Sequence, residues 1–436
     1  MRRYNGRVSC RKTSRHMLIW TIHLGEQLPI DAKPRLFRNG LLAAAAAALG
    51  HRVVQWAPTF SHLEKIFRSR GDALVDVRPN HRIQLFEAGA YVRNISVDRA
   101  VFHRTAARRF EVIAEGLETP DVIFCALPTP EMCASVLRFS RRHPTVKVVV
   151  DVQDLWPDVY LTALPRSLRS LAKPLLTPLY RDVRRTLEQA DGLTAVSESY
   201  LTWAAAMAPS ASSPAAAFAL GYEAVQPLAL NNAGPELSEI VEDMRSVSLP
   251  LCYVGQFSHF YDLETAIRAC RKLELGGLTD FRLVLCGGGR DEQRLKTLAE
   301  GLQTVRFAGW LGAAELATIM SSSSMGLVSY STDAPQSLPN KPFEYMAYGL
   351  GLVSNLKGEL AQIISRTGCG FPFESDNVNE LAAIILNLTS NPDAVQQART
   401  ASAALFETHY DAKVIYPRLV DFLGSLTTSP VPADSV

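Results

Sequence analysis

The sequence predicts an α/β protein with two units, each built on a parallel β-sheet that helices cover on both faces. Short apolar runs alternate with longer helix-like segments through the first half of the chain, and the alternation starts again at Leu251. Parallel strands need a crossover connection, and a helix is the usual one, so this alternation indicates parallel sheets. The chain has 436 residues, which is enough for two or three domains with buried cores.

In the first unit, a strand is predicted wherever a short apolar run ends in polar or small residues. These runs are 17–22, 52–57, 121–127, 146–152 and 193–196. A helix is predicted from about Pro34 to Gly50. Residues 1–16 are rich in Arg and lack an apolar pattern, so we expect a disordered extension there and a start of translation at Met17.

The second unit follows a change in composition at 204–235. Ala, Ser and Pro dominate 204–217, and 231–235 reads Asn-Asn-Ala-Gly-Pro. We expect the first unit at 17–222, a linker at 223–248, the second unit at 249–408 and a flexible tail at 426–436. The predicted strands of the second unit are 251–255, 281–286, 305–308, 326–330 and 351–355. Its predicted helices are 262–273, 378–389, 392–406 and a last one near 412–425, interrupted by Pro417.

The composition is that of an ordinary soluble globular protein, with 47% hydrophobic and 20% charged residues. The net charge of +2 is unevenly spread, because residues 1–225 hold 30 Lys and Arg against 20 Asp and Glu, while the remainder holds 15 against 23. A first half at +10 and a second half at −8 indicate that the first half meets an anionic partner or surface. Solvated Arg on helix faces is the alternative. No nucleic-acid partner is expected.

The cysteines and the apolar runs indicate a cytoplasmic protein. Seven cysteines are scattered without any CxxC spacing, which is typical of buried thiols in a reduced compartment. No apolar run approaches the 18 or so residues that a membrane span needs.

One stretch organises the prediction of function: Ser-Leu-Pro-Asn-Lys-Pro-Phe-Glu-Tyr-Met-Ala-Tyr-Gly at 337–349. Asn340 is predicted to cap a helix, Pro342 suits its first turn, and Gly349 is a natural stop. A short strand and then Lys357-Gly358-Glu359, which opens another helix, follow.

This stretch predicts an anion site, because two helix N-termini lie close together and attract anions through their free N–H groups and the helix dipole. Lys341 adds a positive charge, and Glu344 is a fixed acceptor for sugar hydroxyls. Together they would hold a phosphate and the hydroxyls of an attached sugar. The alternative is that Glu344 only stabilises the helix dipole.

The stretch resembles the donor-nucleotide loop of retaining glycosyltransferases of family 4, which have the GT-B fold, and it is closest to a bacterial polysaccharide branch with an Asn-Lys-Pro-Phe-Glu-Tyr loop. The resemblance extends from Met17 to about Phe422. It implies two Rossmann-like domains with parallel sheets that face each other across a cleft, and a final helix at 409–425 that returns to the first domain. It also implies transfer of a hexosyl or N-acetylhexosaminyl group from a nucleotide-sugar to a glycan or lipid-linked acceptor, in cell-surface polysaccharide biosynthesis.

The resemblance also implies which residues bind the donor. In the family, a Glu at the position of Glu344 holds the ribose, and a second Glu stands eight residues earlier, where this sequence has Gln336. Many members grip the pyrophosphate with an Arg just after the Gly at 255, where this sequence has Gln256. The phosphate charge is then left to other cations. The donor-binding candidates are Gly25, Gly255, Gln256, Ser258, Arg290, Asn340, Lys341, Glu344, Gly358 and Glu359.

Two of these candidates also have ordinary structural explanations. Gly25 follows the first strand and would let backbone N–H groups approach a phosphate, but it is equally typical of an ordinary turn. Arg290 follows the glycines at 287–289, which match no phosphate-binding motif and favour a tight turn, and it is equally a plain surface residue.

The catalytic candidates are Gln153, Asp154 and Gln336. In the family, the stretch that leaves this strand often reads His-Asp, and here Gln153 and Asp154 take those places. Gln cannot act as a base, but in this type of transferase the leaving diphosphate itself accepts the proton of the incoming hydroxyl. That reaction needs positive charge and N–H donors on the phosphates. Polar capping of the strand end is the alternative role. No metal and no cofactor is expected.

The acceptor side is less defined. Arg and Lys alternate with Leu through 161–185, which favours peripheral contact with an anionic membrane or an ordinary domain surface. Two other functions remain open: a nucleotide-sugar epimerase of the same fold, and a non-catalytic partner of another transferase.

Overall fold

The computed structural model describes residues 2–3, 16–32, 34–93, 96–127, 129–162, 164, 166–332 and 338–427. These residues form two units, and the chain passes from the first to the second between Leu220 and Gly221 and returns between Asp411 and Ala412. Most of the extension expected at 1–16 and the tail expected at 426–436 lie outside the described residues.

The first unit contains a mostly parallel sheet. Its strands are β1 (Arg2–Arg3), β2 (Leu18–Ile22), β3 (Arg52–Pro58), β4 (Ala73–Arg78), β5 (His81–Phe86), β6 (Val122–Ala126), β7 (Lys147–Val152), β8 (Gly192–Ala195) and β9 (Pro214–Ala217). They lie in the order β1-β9-β8-β7-β6-β2-β3-β5-β4, and β4 alone among them is antiparallel to its neighbour. Its helices, apart from the last one of the chain, are α1 (Arg38–Ala48), α2 (Val97–Ala114), α3 (Pro130–Arg142), α4 (Asp158–Thr162), α5 (Arg166–Ala172), α6 (Thr177–Gln189) and α7 (Glu198–Met207).

The central strands of this sheet are buried on both faces, which is why they appear in the sequence as continuous apolar runs. On one face, Trp20 packs against Trp56, Phe110 and Phe139, with ring centroids 4.9, 6.2 and 5.6 Å away. On the other face, Ile19 and its neighbours pack against α1.

The hairpin of β4 and β5 has no counterpart in the predicted strands. Its signal was present, because Ala73–Arg78 alternates between half-buried and exposed residues, as a strand with one solvated face does. The turn between the strands uses Asn80 at φ +64°, a left-handed conformation that Asn tolerates better than most residues.

The second unit has a sheet of six parallel strands. They are β10 (Leu249–Val254), β11 (Phe281–Cys286), β12 (Val305–Gly309), β13 (Met325–Val328), β14 (Gly351–Ser354) and β15 (Gly370–Pro372), in the order β12-β11-β10-β13-β14-β15. The helices are α8 (Pro235–Arg245), α9 (Leu263–Leu275), α10 (Glu292–Leu298), α11 (Ala313–Ser321), α12 (Asn340–Ala347), α13 (Glu359–Thr367), α14 (Val378–Ser390) and α15 (Pro392–Leu405).

The stretch expected to be a linker, 223–248, contains helix α8. Its buried residues Leu237, Ile240, Val241 and Met244 recur at helical spacing. Asp243 of α8 binds Arg282 of β11 at 2.7 Å and Arg306 of β12 at 2.9 Å. The breaker cluster at 231–235 therefore ends where Pro235 begins a packed helix of the second unit.

The last helix, α16 (Ala412–Thr427), belongs to the first unit, as the expected return of the chain requires. Tyr416, Leu419, Phe422 and Leu423 are buried in the cluster that also contains α1. Pro417 lies inside the helix without interrupting it. Two α/β units with parallel sheets and a returning last helix confirm the predicted fold class.

The described cysteines are unpaired and buried: Cys125, Cys133, Cys252, Cys270, Cys286 and Cys369. Cys10 lies outside the described residues.

Candidate functional site

Lys341 lies in the first turn of helix α12, and aromatic rings surround its ammonium group. Its ammonium lies 3.6 Å from the ring centroid of Tyr261, 4.7 Å from that of Tyr253 and 5.3 Å from that of Tyr330. Its Nζ donates to the Tyr253 hydroxyl at 3.2 Å. Cation–π contacts of this kind are attractive and strengthen when water is removed. Lys341 is therefore held in a cage of three tyrosines, which we call the tyrosine cage.

The cage changes the acid–base behaviour of Lys341, whose side chain is nearly all buried. Burial lowers the pKa of Lys341 to about 7, and the charge of Glu344 opposes this shift only in part. At neutral pH the amine is thus divided between its charged and neutral forms. An anion that entered beside it would favour the charged form.

Glu344 lies three residues after Lys341, on the same face of α12, and is 6% exposed. Tyr345 fixes the helix that carries both residues. Its hydroxyl accepts from the Val254 N–H at 2.9 Å and donates to the Leu327 C=O at 3.3 Å, and so bridges β10 and β13. A Cβ at Gly326 would lie 2.3 Å from the Tyr345 ring, so the close approach depends on glycine. The spacing between Lys341 and Glu344 is therefore rigidly held.

Gly255 ends the first strand of this unit and lies directly against Lys341. A Cβ at Gly255 would be 2.6 Å from Nζ of Lys341, and the φ of +150° also favours glycine there. The glycines that follow β11 pack against the same loop, because a Cβ at Gly287 would lie 1.9 Å from the Gly255 carbonyl oxygen and one at Gly289 would lie 2.5 Å from that of Phe257. This close packing of two loops explains the run of three glycines as a tight turn.

The remaining candidates near this loop differ in exposure. Gln256 is exposed, and its carbonyl accepts from the Tyr253 hydroxyl at 2.9 Å. The Ser258 hydroxyl is buried and has no hydrogen-bond partner among the described residues. Arg290 is 74% exposed and approaches Nδ1 of His259 at 3.3 Å. An exposed guanidinium and an unsatisfied hydroxyl thus lie on the loops that pack beside Lys341.

The start of α12 corrects one expectation. Asn340 is the first helical residue, and Pro339 occupies the N-cap position without a side-chain cap. The reason is that Pro339 already has the extended backbone that an N-cap needs, at φ −78° and ψ 177°. Gly349 ends the helix segment at φ +66°, as predicted.

Helix α13 begins after Gly358, which has a φ of +82°, and Glu359 is its first residue. Neither α12 nor α13 has a side-chain cap at its N-terminus. Asn355 fixes the loop after the neighbouring strand, because its amide both accepts from the Tyr330 N–H and donates to the Tyr330 C=O, each at 2.8 Å. The donor-binding roles of Asn340, Gly358 and Glu359 stay predictions.

In the first unit, the loop at Gly25 is already hydrogen-bonded. Nδ1 of His23 accepts from the N–H groups of Gly25 and Glu26 at 2.9 and 3.0 Å. The Glu26 carboxylate accepts from the Asn39 N–H at 2.9 Å, at the beginning of α1. The role of Gly25 beside a phosphate therefore stays a prediction, and in this state its N–H group binds the imidazole.

Gln153 belongs to a buried network around Asp151. Its amide donates to Asp151 at 2.9 Å, and Thr194 donates to the same carboxylate at 2.6 Å. Arg38 forms a bidentate pair with Asp151 at 2.6 and 2.8 Å, and both side chains are fully buried. Arg38 also donates to the Phe218 C=O at 2.8 Å. The network explains how Gln153 is oriented, while its catalytic role stays a prediction.

Asp154 lies just after β7, and part of its surface is exposed to solvent. Burial raises the pKa of Asp154, against the opposing charges of His23 and Arg99. A carboxyl with a raised pKa at the end of a parallel strand is a common feature of functional sites. Gln336 lies outside the described residues.

Two further properties of the described part of the chain bear on the site. It contains no group of three or more His, Cys, Asp and Glu that is arranged to hold a metal ion. It also contains no helix that is long and apolar enough to cross a membrane. The expectation of a reaction without metal stays a prediction.

Several residues of these sites were not singled out from the sequence. The tyrosines of the cage come from one strand and two separate loops, so no local motif connects them. Their only signal is that three Tyr follow or end predicted strands of one sheet. In the first unit, His62 and Lys65 follow β3 and Arg99 lies on α2, so no local motif connects these residues either.

Comparisons with known proteins agree with this architecture. Residues 249–391 match the family model described as Glycosyl transferases group 1. The chain is 27% identical over 185 residues to the amylovoran biosynthesis glycosyltransferase AmsK of Erwinia amylovora. That match covers 41% of this chain and 45% of the relative, so the chain spans less than half the length of the curated relative it matches.

Solved structures are similar over nearly the whole chain. Sucrose-phosphate synthase from Thermosynechococcus elongatus has a TM-score of 0.69 at 15% identity, with 94% of this chain and 99% of that chain covered. HepE from Anabaena in complex with UDP has a TM-score of 0.62 at 12% identity, with the same coverage. An E. coli structure named trehalose-6-phosphate, with bound UDP-2-fluoro glucose, has a TM-score of 0.66 at 12% identity and covers 93% of this chain. The chain therefore has the GT-B fold, and its second unit carries the sequence pattern of the group 1 glycosyl transferases.

Proposed function

We propose that the protein is a retaining glycosyltransferase that transfers a hexosyl or N-acetylhexosaminyl group from a nucleotide-sugar to a glycan or lipid-linked acceptor. The product belongs to cell-surface polysaccharide biosynthesis. The observation that carries the proposal is the fixed pair of Lys341 and Glu344 on α12, beside Gly255 at a strand end of the sheet. A cation for phosphate oxygens and a carboxylate for sugar hydroxyls at one strand edge are what a nucleotide-sugar requires.

The chemistry follows from these charges. The leaving diphosphate gains negative charge as the glycosidic bond breaks, and Lys341 with Arg290 offsets that charge. A diphosphate oxygen then takes the proton of the acceptor hydroxyl on the same face of the sugar, so retention needs no side-chain base. Gln153 orients a hydroxyl, since its amide is held by Asp151. Gln336 is proposed to lie beside the donor sugar, and no metal ion takes part.

The nucleotide is proposed to be uridine diphosphate, because two of the similar structures contain UDP or a UDP-sugar. The test mixes the protein with UDP-hexoses and UDP-N-acetylhexosamines, with and without a lipid extract of bacterial membranes. We expect acceptor-dependent release of UDP and a product whose anomeric NMR coupling matches that of the donor. An inverted product would contradict retention. Conversion of the nucleotide-sugar without acceptor would identify an epimerase, and failure to bind any nucleotide-sugar would identify a non-catalytic partner.

Lys341→Met provides the control for this assay, because Met keeps most of the side-chain volume and removes the charge. We expect the release of UDP to fall with Lys341→Met and to persist with Lys272→Met, since Lys272 is an exposed lysine of the same unit that contacts Asn379. Equal activity of the two variants would contradict the assignment of the donor site to α12.

The protein is also proposed to contact the inner face of the membrane peripherally, through α5, the 3-10 turn Lys173–Leu176 and the beginning of α6. Leu168, Leu171 and Leu175 are 48, 72 and 81% exposed there. Lys173 and Arg181 are exposed in the same region. Apolar side chains that insert, with cations beside them, suit an anionic lipid surface.

Sedimentation with vesicles tests this contact. We expect binding to phosphatidylglycerol vesicles, weaker binding to phosphatidylcholine vesicles, and release by about 1 M NaCl, which screens the surface charges. Leu171→Ser with Leu175→Ser should abolish binding. The matched control is Leu275→Ser, because Leu275 is 82% exposed in the second unit. Binding that survives both the salt and the double substitution would contradict the proposal.

A further inference from the structure

A group of cationic and aromatic side chains in the first unit has no role in the donor site. We call it the basic cluster, and it consists of His62, Lys65, Tyr91, Arg99 and His103. His62 and Lys65 follow β3, Tyr91 follows β5, and Arg99 and His103 lie on the helix that comes next, α2. The carboxyl ends of β3 and β5, which are neighbouring parallel strands, thus bring these residues to the edge of the sheet where ligands bind in α/β proteins.

Tyr91 holds the cluster together. Its hydroxyl is 2.5 Å from Nδ1 of His62, and its ring lies 4.5 Å from Nζ of Lys65 and 5.8 Å from Cζ of Arg99, measured to the centroid. The ring itself is buried against Phe60 and Phe102. Two long cations therefore converge on one rigid aromatic ring instead of pointing apart into solvent.

The charges that act on His62 are all positive. Burial lowers the pKa of His62 to about 4, and the charges of Lys65, Arg99 and His23 act in the same direction. Burial, followed by the charge of Arg99, also lowers the pKa of Lys65 and of His103. Lys65 and Arg99 therefore repel one another. A bound anion would offset this repulsion.

Two carboxylates lie near the cluster. Glu131 is 4.0 Å from Nδ1 of His103. Asp154 is close enough to Arg99 and His23 for their charges to lower its pKa. Neither acid is among the charges that shift the pKa of His62. Lys65 with the neutral His62 and Tyr91 therefore forms one end of the cluster, and Asp154 lies near the other.

We propose that the basic cluster binds a phosphate or diphosphate group of the acceptor, with Lys65 and Arg99 on the phosphate oxygens and His62 beside them. This inference rests on the proposed transferase function, since it identifies the acceptor as anionic. Lys65 and Arg99 supply charge-assisted hydrogen bonds, which are the strong ones for phosphate. His62 remains neutral and polar, and Tyr91 fixes its ring through Nδ1. Asp154, at the other end, is then available to the acceptor hydroxyl.

The test is a titration that reports on His62 directly. The Cε1–H resonance of His62, identified by its loss in His62→Gln, is followed by NMR at neutral pH while inorganic pyrophosphate is added to the full-length protein. We expect a saturable shift of this resonance. Lys65→Gln and Arg99→Gln should each raise the apparent dissociation constant by roughly tenfold, since each removes a charge-assisted hydrogen bond.

Matched variants separate this site from others. Arg70→Gln removes one positive charge from the same loop at an exposed position, and it should change the dissociation constant by less than about twofold. Lys341→Met should leave the His62 response unchanged, which excludes binding at the donor site as its source. Arg99→Lys should restore part of the affinity that Arg99→Gln removes. Melting temperatures check that each variant is folded, and Lys65→Gln is the leading variant because Lys65 is exposed.

The source of the phosphate is distinguished with a second set of probes: orthophosphate, farnesyl diphosphate and the neutral farnesol. Equal affinity for pyrophosphate and farnesyl diphosphate would support a site for the diphosphate group alone, and tighter binding of farnesyl diphosphate would support a lipid-linked acceptor. Tighter binding of orthophosphate would support a sugar phosphate. A response to farnesol equal to that of its diphosphate, or no saturable response to any anion, would overturn the proposal.

The outcome is independent of the transfer reaction. If the His62 resonance responds to pyrophosphate but no sugar transfer is found, the anion site stands and the proposed function fails. If transfer proceeds to neutral acceptors and the resonance does not respond, the proposed function stands and this inference fails.

Discussion

The protein holds cations in two different ways, one in each unit. The basic cluster of the first unit brings Lys65 and Arg99 together at one buried aromatic ring, that of Tyr91, while Lys65 itself stays exposed. The tyrosine cage of the second unit buries a single cation, Lys341, among three rings and beside Glu344. The second arrangement is poised near neutrality, because burial lowers the pKa of Lys341 to about 7.

The difference shows how burial converts a permanent charge into a conditional one. An exposed ammonium keeps its hydration and therefore its proton, whereas a buried one loses hydration and holds its proton only if a carboxylate or a ligand replaces the water. We therefore expect the donor site to gain a proton when it binds a diphosphate.

The largest expected effect comes from removing the caged cation. Lys341→Met should weaken binding of the UDP-sugar by about a hundredfold, since a charged hydrogen bond in a dry site contributes about 1.5–3 kcal/mol. The melting temperature should not fall, because the buried charge is itself unfavourable and Met fills the cage. Calorimetric titration and thermal melting of the same samples measure both effects. A lowered melting temperature with unchanged affinity would identify Lys341 as part of the scaffold.

The next effect is that of Glu344→Gln, which keeps the shape and removes the charge. Binding should weaken by about ten- to a hundredfold, because a carboxylate that accepts sugar hydroxyls is lost and the pKa of Lys341 loses the one charge that raises it. If Glu344 acted only on the helix dipole, the substitution would cost about 0.3–1 kcal/mol of stability and nothing in affinity. Comparing dissociation constants with melting temperatures separates these two roles. Unchanged affinity would mean that the donor site does not include α12.

The comparison of the two cations is sharpened by pH. Because the pKa of Lys341 is about 7 in the empty protein, affinity for the UDP-sugar should fall by about tenfold for each pH unit above it. Lys341→Met should remove this dependence. Lys65→Gln should leave this dependence unchanged, since Lys65 belongs to the basic cluster. Titrations from about pH 6 to pH 8.5 in buffers with different ionisation enthalpies measure the affinity and the proton uptake. A flat profile for the wild-type protein would contradict the conditional charge.

The same shift has a consequence for stability with a definite sign. The pKa of Lys341 is lowered from 10.5 in the unfolded chain to about 7 in the folded one. Between these values the unfolded chain binds more protons, so the contribution of Lys341 to the free energy of unfolding increases with pH. We therefore expect the free energy of unfolding of the wild type, measured with urea, to increase relative to that of Lys341→Met between about pH 7 and pH 9. A difference between the two proteins that is the same at both pH values would mean that Lys341 stays charged in the fold.

Local signals in the sequence were enough for most of the fold and for the position of Lys341 and Glu344 on one helix. Buried parallel strands appear as apolar runs, and Lys341 and Glu344 lie three residues apart at a predicted helix start, which places them on one face. Helix α8 and the β4–β5 hairpin were missed because a breaker cluster and a charged, alternating strand resemble loop sequences. Asn340 was mistaken for the cap because Pro339 has no side-chain acceptor and so gives no capping signal.

The features that the sequence did not predict depend on contacts between residues far apart in the chain. The tyrosines of the cage are separated by up to 77 positions and look individually like core residues, since Tyr253 lies in a buried strand. Nothing local predicts that Lys341 would be enclosed by them. The buried pair of Arg38 and Asp151, 113 residues apart, is hidden for the same reason. Its formation decides how Gln153 is oriented, which the family pattern alone did not indicate.

The smallest expected effect concerns Arg290, whose side chain is 74% exposed. It tests whether an exposed cation contributes to binding at the donor site. Arg290→Ala should weaken UDP-sugar binding by only about two- to fivefold, because a solvated charge interacts weakly across water. The effect should vanish in about 1 M NaCl, where the screening length is only about 3 Å, while the effect of Lys341→Met should persist. Arg294→Ala is the matched control, since Arg294 is exposed on α10 and paired with Glu264. A loss with Arg290→Ala as large as that of Lys341→Met, and unchanged by salt, would mean that the loop at Arg290 closes over the bound diphosphate. The difference in behaviour between buried and exposed cations would then be a property of the empty protein alone.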